Sequence, residues 1–272
     1  MMNSAVSAGN MGLAHGALRR LFRFLLRGAA FVAALLPCGP LSAGEILAAV
    51  AANFSAPMKR IASEFEKETG HKVLISNGTV GKFYSQIKNG AGFEVLVSSD
   101  RETPDKLVHD GLAVESTRFT YAIGKLVLWS ADKDKVDSRG EVLKSGEFQY
   151  LALANPKFAV YGAAGETVLR KLGLLDAVKT RIVTAENITQ AYQFVATGNA
   201  DLGFVALSQV IGKDGKIAAG SAWIVPQDHY QPIRQDVILL AAGKDKAPAL
   251  ALVNYFRTEK ARSIIRAYGY DF

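Results

Sequence analysis

Cysteine is nearly absent: the chain of 272 residues holds one, Cys38, close to the N-terminus. A structural disulfide within the chain is therefore excluded, and so is zinc held by several thiolates. Histidine is scarce as well, with four residues, and His71, His109 and His229 lack the spacing of metal ligands. Acidic residues and lysine are missing altogether from positions 1–43, which contain only four arginines as charged groups. Without that segment the net charge of +7 falls to about +3, too little to mark a nucleic-acid surface. No G-x-S-x-G elbow occurs, so the commonest serine-hydrolase signature is missing. Charged residues make up only 21% of the chain and apolar ones 49%, the balance of a globular protein rather than a disordered one.

What the first 43 residues do contain is ordered. Arg19, Arg20, Arg23 and Arg27 precede an apolar stretch from Gly28 to Leu36, followed by Pro37-Cys38-Gly39-Pro40 and the small-residue end Leu41-Ser42-Ala43. This is the layout of a secretory signal peptide, with cleavage expected near Ala43–Gly44 and Met11 as an alternative start. The apolar core is too short to span a bilayer comfortably. Lipidation of Cys38 is disfavoured by Pro37, which stands where a small residue is needed.

Beyond the leader, short β-type runs alternate with helical periodicity. Ile46–Ala51 reads as a strand and Ala52–Ser55 as a turn in which Ser55 can cap a helix. Pro57 suits that helix's first turn; Met58, Ile61, Ala62 and Phe65 fall on one face, and Gly70 ends it. Lys72–Ser76 is a second strand, Lys82–Lys88 a helix and Glu94–Ser98 a third strand. The pattern returns in the second half, with strands at 150–154, 181–184 and 202–206 and helices at 162–172 and 189–196. Such alternation argues for mostly parallel sheets flanked by helices. Tyr84, Asn89-Gly90 and Val95–Ser98 align without a gap on Tyr192, Thr197-Gly198 and Gly203–Ala206 at an offset of 108 residues, which places Val80 on Ile188. Two similar α/β lobes explain this; chance likeness between βα units is the competing explanation. A strand at 236–242 and helices at 247–256 and 259–266 are too few to form a third lobe and are expected to return to the first.

In parallel α/β sheets ligands gather outside the carboxyl ends of the strands. Four loops fit: Ala52–Ser55, Gly78–Gly81, Ala159–Gly162 and Asn187–Thr189, each leading into a helix whose first N–H groups carry partial positive charge. Their residues are hydroxyl, amide or small ones, which suits a compact oxyanion held by neutral donors. Gly78-Thr79-Val80-Gly81-Lys82 is not a nucleotide loop, because Ser76 and Phe83 stand where the phosphate-loop pattern needs Gly and Ser or Thr. Tyr161, at a strand-to-helix turn, is a candidate ligand hydroxyl, with structural packing as the alternative.

Taken in order, several motifs resemble the periplasmic molybdate-binding proteins of ABC importers. They are Val50–Phe54, Gly78–Ile87, Phe93–Asp100, Asn155-Pro156 through Val160-Tyr161-Gly162, Ala185–Ile188, Leu202–Ala206 and Ala267–Tyr270, and the likeness spans essentially residues 45–272. The resemblance implies a two-lobed clamshell of type II. Lobe 1 would comprise residues 44–122 plus 228–272 and lobe 2 residues 123–227, after a signal peptide of residues 1–43. It implies a monomeric binding protein of the periplasm rather than an enzyme, with no cofactor. The protein would pass molybdate or tungstate to an inner-membrane permease and its ATPase. The ligand positions fall on Ala52, Asn53 (side chain and N–H), Thr79, Val80, Tyr161 and the N–H of Ile188, with molybdenum held through its oxygens and no direct protein–metal bond. Val80 replaces the family's usual second hydroxyl residue, so Thr79 takes over that donor or only the Val80 N–H contributes. Ala206 stands where one branch carries a tyrosine, a role that Tyr161 would fill. The alternatives are a binding protein for another small anion, such as sulfate or an organic acid, and a secreted α/β hydrolase. A carboxylate ligand would call for an arginine in the cleft, and Arg101, Arg170 and Arg234 lie off the loop tips.

Overall fold

The structure, a computed structural model, describes residues 43–272. The signal peptide expected over residues 1–43 therefore lies outside the described residues, apart from Ala43. Strand β1 (Glu45–Ala51) runs into a single 3-10 turn (Ala52–Phe54) and helix α1 (Ser55–Thr69). Strand β2 (Lys72–Gly78), helix α2 (Val80–Lys88), strand β3 (Val95–Val97) and helix α3 (Glu102–His109) follow. Strands β4 (Phe119–Gly124) and β5 (Leu126–Ser130) are separated by Lys125 alone. Then come α4 (Val142–Ser145), β6 (Leu151–Ala154), α5 (Val160–Lys171), α6 (Leu175–Val178), β7 (Ile182–Ala185), α7 (Ile188–Ala196) and β8 (Leu202–Ala206). The chain finishes with α8 (Leu207–Val210), β9 (Ser221–Ile224), β10 (Ile233–Leu239), α9 (Ala247–Tyr255) and α10 (Glu259–Ala267).

Two sheets result, in the orders β2-β1-β3-β10-β4 and β7-β6-β8-β5-β9. In the first, β1 runs parallel to β2 and β3, and β10 is antiparallel to both its neighbours. In the second, β6 runs parallel to β7 and β8, and β5 is antiparallel to β8 and β9. Each sheet thus has a single reversed strand, and both are flanked by helices in a two-lobed α/β fold. The chain passes between sheets twice, through Lys125 and through the segment between β9 and β10, and the Leu126 N–H donates to the Tyr230 hydroxyl at 3.0 Å, tying the two passages together.

Strand periodicity explains the layers. On β1, Ile46, Ala48 and Val50 face a core shared with α1, α9 and α10, whereas Ala49 faces the core that holds Phe83, Ile87, Phe93 and Leu107. The C-terminal helices cover the first sheet through Leu252, Val253, Phe256 and Ile265. Helix α1 buries Met58, Ile61, Ala62 and Phe65 and stops at Gly70, whose φ of 73° carries the chain out of the helix. Ser55 differs from its expected role. It is the first residue of the helix, not its cap, and its hydroxyl donates to the Asn77 side chain. Helices α2 and α5 start two residues earlier than expected: Val80 continues the buried face of Phe83 and Ile87, and Tyr161 that of Ala164, Gly165 and Val168, so the first turns belong to the same apolar faces.

Candidate functional site

The carboxyl ends of β1, β2, β3, β6 and β7 converge on one small cleft of about 20 Å³. Its lining comprises Ala52, Asn53, Gly78, Thr79, Val80 and Ser99 from the first sheet's side, with Ala159, Val160, Tyr161, Asn187 and Ile188 from the second's. All six residues singled out from sequence are brought together here. Tyr161 does not sit in a loop, however: it is in the first turn of α5 and is buried. Ser99 was missed. It lies two residues beyond β3, and its signal in the sequence was a serine at the carboxyl end of a strand, within the Phe93–Asp100 motif.

The helix starts explain why these residues meet. Thr79 caps α2, its hydroxyl accepting from the Lys82 N–H at 3.4 Å; Asn187 caps α7, its side chain accepting from the Gln190 N–H at 3.0 Å. Capping residues are extended while the next ones are helical, so Val80 and Ile188 open their helices at the same position of the 108-residue repeat. The first N–H groups of a helix have no acceptor within it, and together with the helix dipole they make a positive end without a formal charge. Val80, Val160 and Ile188 place three such ends on the cleft, and the 3-10 turn at Ala52-Asn53 adds a fourth. No charged side chain lines it. Arg170 pairs with Glu166 at 2.5 Å, Arg101 reaches toward Asp236 at 3.7 Å, and Arg234 is exposed on β10.

Below the cleft lies a buried polar network. Asn53 Nδ2 donates to Gln235 Oε1 and to the Tyr270 hydroxyl, both at 3.0 Å. The Asn53 side-chain donors, expected to face a ligand, are thus engaged within the first lobe. Gln235 Oε1 also accepts from the Tyr121 hydroxyl at 2.9 Å, and Gln235 Nε2 donates to the Tyr161 hydroxyl at 3.1 Å. Ser208 Oγ donates to the Asn53 carbonyl at 2.9 Å, linking α8 to the first lobe. Burial pushes the phenols of Tyr121 and Tyr161 well above their ordinary range and that of Tyr270 up to about 12, so all three are neutral at physiological pH. A Cβ on Gly124 would lie 2.0 Å from the Tyr161 hydroxyl and 2.6 Å from Gln235 Nε2, so only glycine at the end of β4 leaves room for this pairing.

At the rim the lobes touch. Lys82 Nζ is 2.6 Å from Glu186 Oε1, and a Cβ on Gly81 would lie 3.3 Å from the ring of Phe158. Thr189 Oγ1 is 3.4 Å from the Ala52 carbonyl. The cleft is closed over neutral donors. Such a site suits a small, fully ionised oxyanion, whose oxygens accept hydrogen bonds and need no proton acceptor in return. Among the described residues no cluster of His, Cys, Asp or Glu could hold a metal ion directly, and no helix is long and apolar enough to cross a membrane.

Comparison with known proteins agrees in kind. The family model described as bacterial extracellular solute-binding protein matches residues 46–271. The molybdate-binding protein ModA of Azotobacter vinelandii is 58% identical over 238 residues, covering 88% of this chain and 94% of its own length. The protein of the same name from Rhodobacter capsulatus is 52% identical over 231 residues, covering 85% of this chain and 90% of its own. The solved periplasmic molybdate-binding protein of Azotobacter vinelandii superposes with a TM-score of 0.81 at 44% identity, covering 84% of this chain and 99% of that one.

Proposed function

The chain belongs to the family of bacterial extracellular solute-binding proteins, and we propose that it captures molybdate, with tungstate as a second ligand, and hands it to an ABC permease. It acts as a carrier and not as an enzyme. The observation that carries this reading is the cleft itself, in which the N-terminal ends of helices from two lobes meet with no charged side chain among them. Its close relatives are named as molybdate-binding proteins.

The energetics are consistent. A hydrogen bond to a charged group is worth about 1.5–3 kcal/mol net. At about 2 kcal/mol each, five to seven of them reach about 10–14 kcal/mol, above the roughly 8 kcal/mol of a micromolar complex and with a margin for the cost of association. Donors fixed in helix first turns need little reorganisation and are spaced by the backbone, so they sort anions by size. Molybdate is larger than sulfate, and a shell spaced for it leaves sulfate under-coordinated.

In this reading Ala52, Asn53, Val80 and Ile188 contribute backbone N–H groups, and Thr79 and Tyr161 contribute hydroxyls. One closing body comprises residues 44–124 with 228–272 and the other 125–227, two residues beyond the expected boundary at 122/123 because β4 runs to Gly124 in the first sheet, and each chain holds one ion as a monomer. Residues 1–43 direct export to the periplasm, where the carrier meets the permease and its ATPase. A thermal-shift and calorimetric panel of molybdate, tungstate, sulfate, phosphate and citrate tests the proposal. Tight one-to-one binding of molybdate and tungstate, with sulfate far weaker, is expected. Preference for sulfate or citrate would overturn it.

A further inference from the structure

Gln235 lies on β10, fully buried, at the irregularity where the register with β4 shifts between Gln235 and Asp236. It does not line the cleft, yet each polar end of its side chain has a fixed partner. Its oxygen accepts from Asn53 Nδ2 and from the Tyr121 hydroxyl, and its nitrogen donates to the Tyr161 hydroxyl. A carboxamide has one acceptor end and one donor end. Because Asn53 offers N–H groups to the oxygen, the nitrogen must face Tyr161. The polarity of the last bond follows: the phenol oxygen accepts. A phenol has one proton, and with its oxygen engaged by Gln235 that proton can only be given away, to the Tyr270 hydroxyl beside it or to an acceptor in the cleft. Burial keeps the phenol neutral, so the proton is always present.

We infer that Gln235 is a positioning residue that makes Tyr161 a donor-only group in the cleft and thereby sets the discrimination against oxyanions that carry a proton. The inference rests on the proposed contact between Tyr161 and the bound anion. Molybdate at neutral pH presents only acceptor oxygens, which match such a donor. Hydrogen phosphate presents an O–H that needs an acceptor, and a phenol oxygen already occupied by Gln235 cannot serve. Released from Gln235, the same phenol can rotate and accept, so the site should lose molybdate affinity and reject phosphate less strongly.

The test is a double-mutant cycle with Gln235→Met and Tyr161→Phe, read by calorimetric titration of molybdate and, separately, phosphate, with thermal melts of the unliganded proteins as the folding control. Gln235→Met is expected to weaken molybdate about tenfold, the low end for one hydrogen bond to a charged group, and to narrow the molybdate-to-phosphate ratio by more than that loss. In the Tyr161→Phe background the same substitution should change molybdate affinity less than about twofold, because its effect runs through the missing hydroxyl. A purely structural role predicts equal losses in both backgrounds and an unchanged ratio, and either result overturns the inference. Should Gln235→Met fail to fold, Gln235→Glu keeps the shape and enters the same cycle, where a molybdate loss no larger with Tyr161 than without it overturns the inference. If Tyr161→Phe leaves molybdate binding intact, the phenol proton belongs to the neighbouring Tyr270 hydroxyl and the inference fails while the proposed function stands. If the unmodified protein does not bind molybdate at all, the proposed function fails and takes the inference with it.

Discussion

Lys82 Nζ lies 2.6 Å from Glu186 Oε1, joining the first turn of α2 to the residue just ahead of the Asn187 cap of α7. The two groups come from opposite sheets and close the rim of the cleft beside the contact of Phe158 with Gly81. Each is about half exposed, at 51% and 57%, so the pair is screened and worth less than about 1 kcal/mol. Glu186→Gln should therefore raise the molybdate dissociation rate by roughly two- to fivefold at low salt. Stopped-flow measurement in rising sodium chloride should show the difference fading as the Debye length shrinks. An effect independent of salt would mean that the pair does not act as a latch.

Thr79 has two tasks that substitution can separate. Its oxygen caps α2 and its proton is available to the cleft. Thr79→Ser keeps both and should bind molybdate within about threefold of the parent. Thr79→Val removes both and should lower stability by about 1 kcal/mol and affinity by about tenfold or more. Unchanged affinity in Thr79→Val, with only the melting temperature lowered, would leave the cap as its whole role.

Ile188 offers a test of a backbone donor. Ile188→Val keeps the N–H and should be nearly silent in binding. Ile188→Pro removes the N–H at the first helical position, where proline is tolerated. Circular dichroism should show the helix content retained, and titration should show affinity reduced about tenfold. Equal affinity for the proline variant would remove this N–H from the ligand shell.

Gly124 tests the floor of the cleft. Gly124→Ala places a methyl group against the Tyr161 hydroxyl and Gln235 Nε2. Lower melting temperature and weaker molybdate binding are expected. Tyr161→Phe deletes the clashing oxygen, so adding Gly124→Ala to it should cost clearly less stability than adding it to the parent. A cost that is the same in both backgrounds would place the strain elsewhere.

The buried phenols predict an alkaline limit. Tyr121, Tyr161 and Tyr270 all have raised pKa values through burial, Tyr270 to about 12. In the unfolded chain they ionise near 10. Below that pH both states are protonated and the full stability is present. Above it the unfolded state loses protons that the folded state keeps, so stability falls as pH rises, by about 1.4 kcal/mol per pH unit for each phenol. Melting temperatures should be flat between pH 7 and 9 and drop from pH 10 toward 12. Tyr161→Phe should make that slope shallower.

Much of the architecture was legible because it is written locally. Apolar residues at i, i+3, i+4 and i+7 announced α1, and strand β8 at 202–206 was read residue for residue. The offset of 108 residues that aligned Val80 with Ile188 relates two helices that start and end at equivalent positions. Strands β4 and β5 escaped notice. They form one largely apolar run with only Lys125 between them, and the chain crosses from one sheet to the other there without a loop.

The sequence by itself determined which segments of the cleft region are helices, with their starts legible to within two residues, and the neutral character of the loops that line the cleft, because capping, turn formation and periodicity act over about four residues. It could not determine what each side chain does there. Asn53 was expected to turn its amide to a ligand; its N–H groups instead meet Gln235, 182 residues away, and Tyr270, 217 residues away. That choice depends on β10 entering the first sheet between β3 and β4, and on the C-terminal helices bringing Tyr270 beneath the cleft. The pairing of Tyr161 with Gln235 across the lobes likewise exists only because Gly124 leaves space at the crossing point. A buried hydrogen bond needs its partner within about 3 Å and in the right polarity, and only the folded chain brings residues so distant in sequence to that separation.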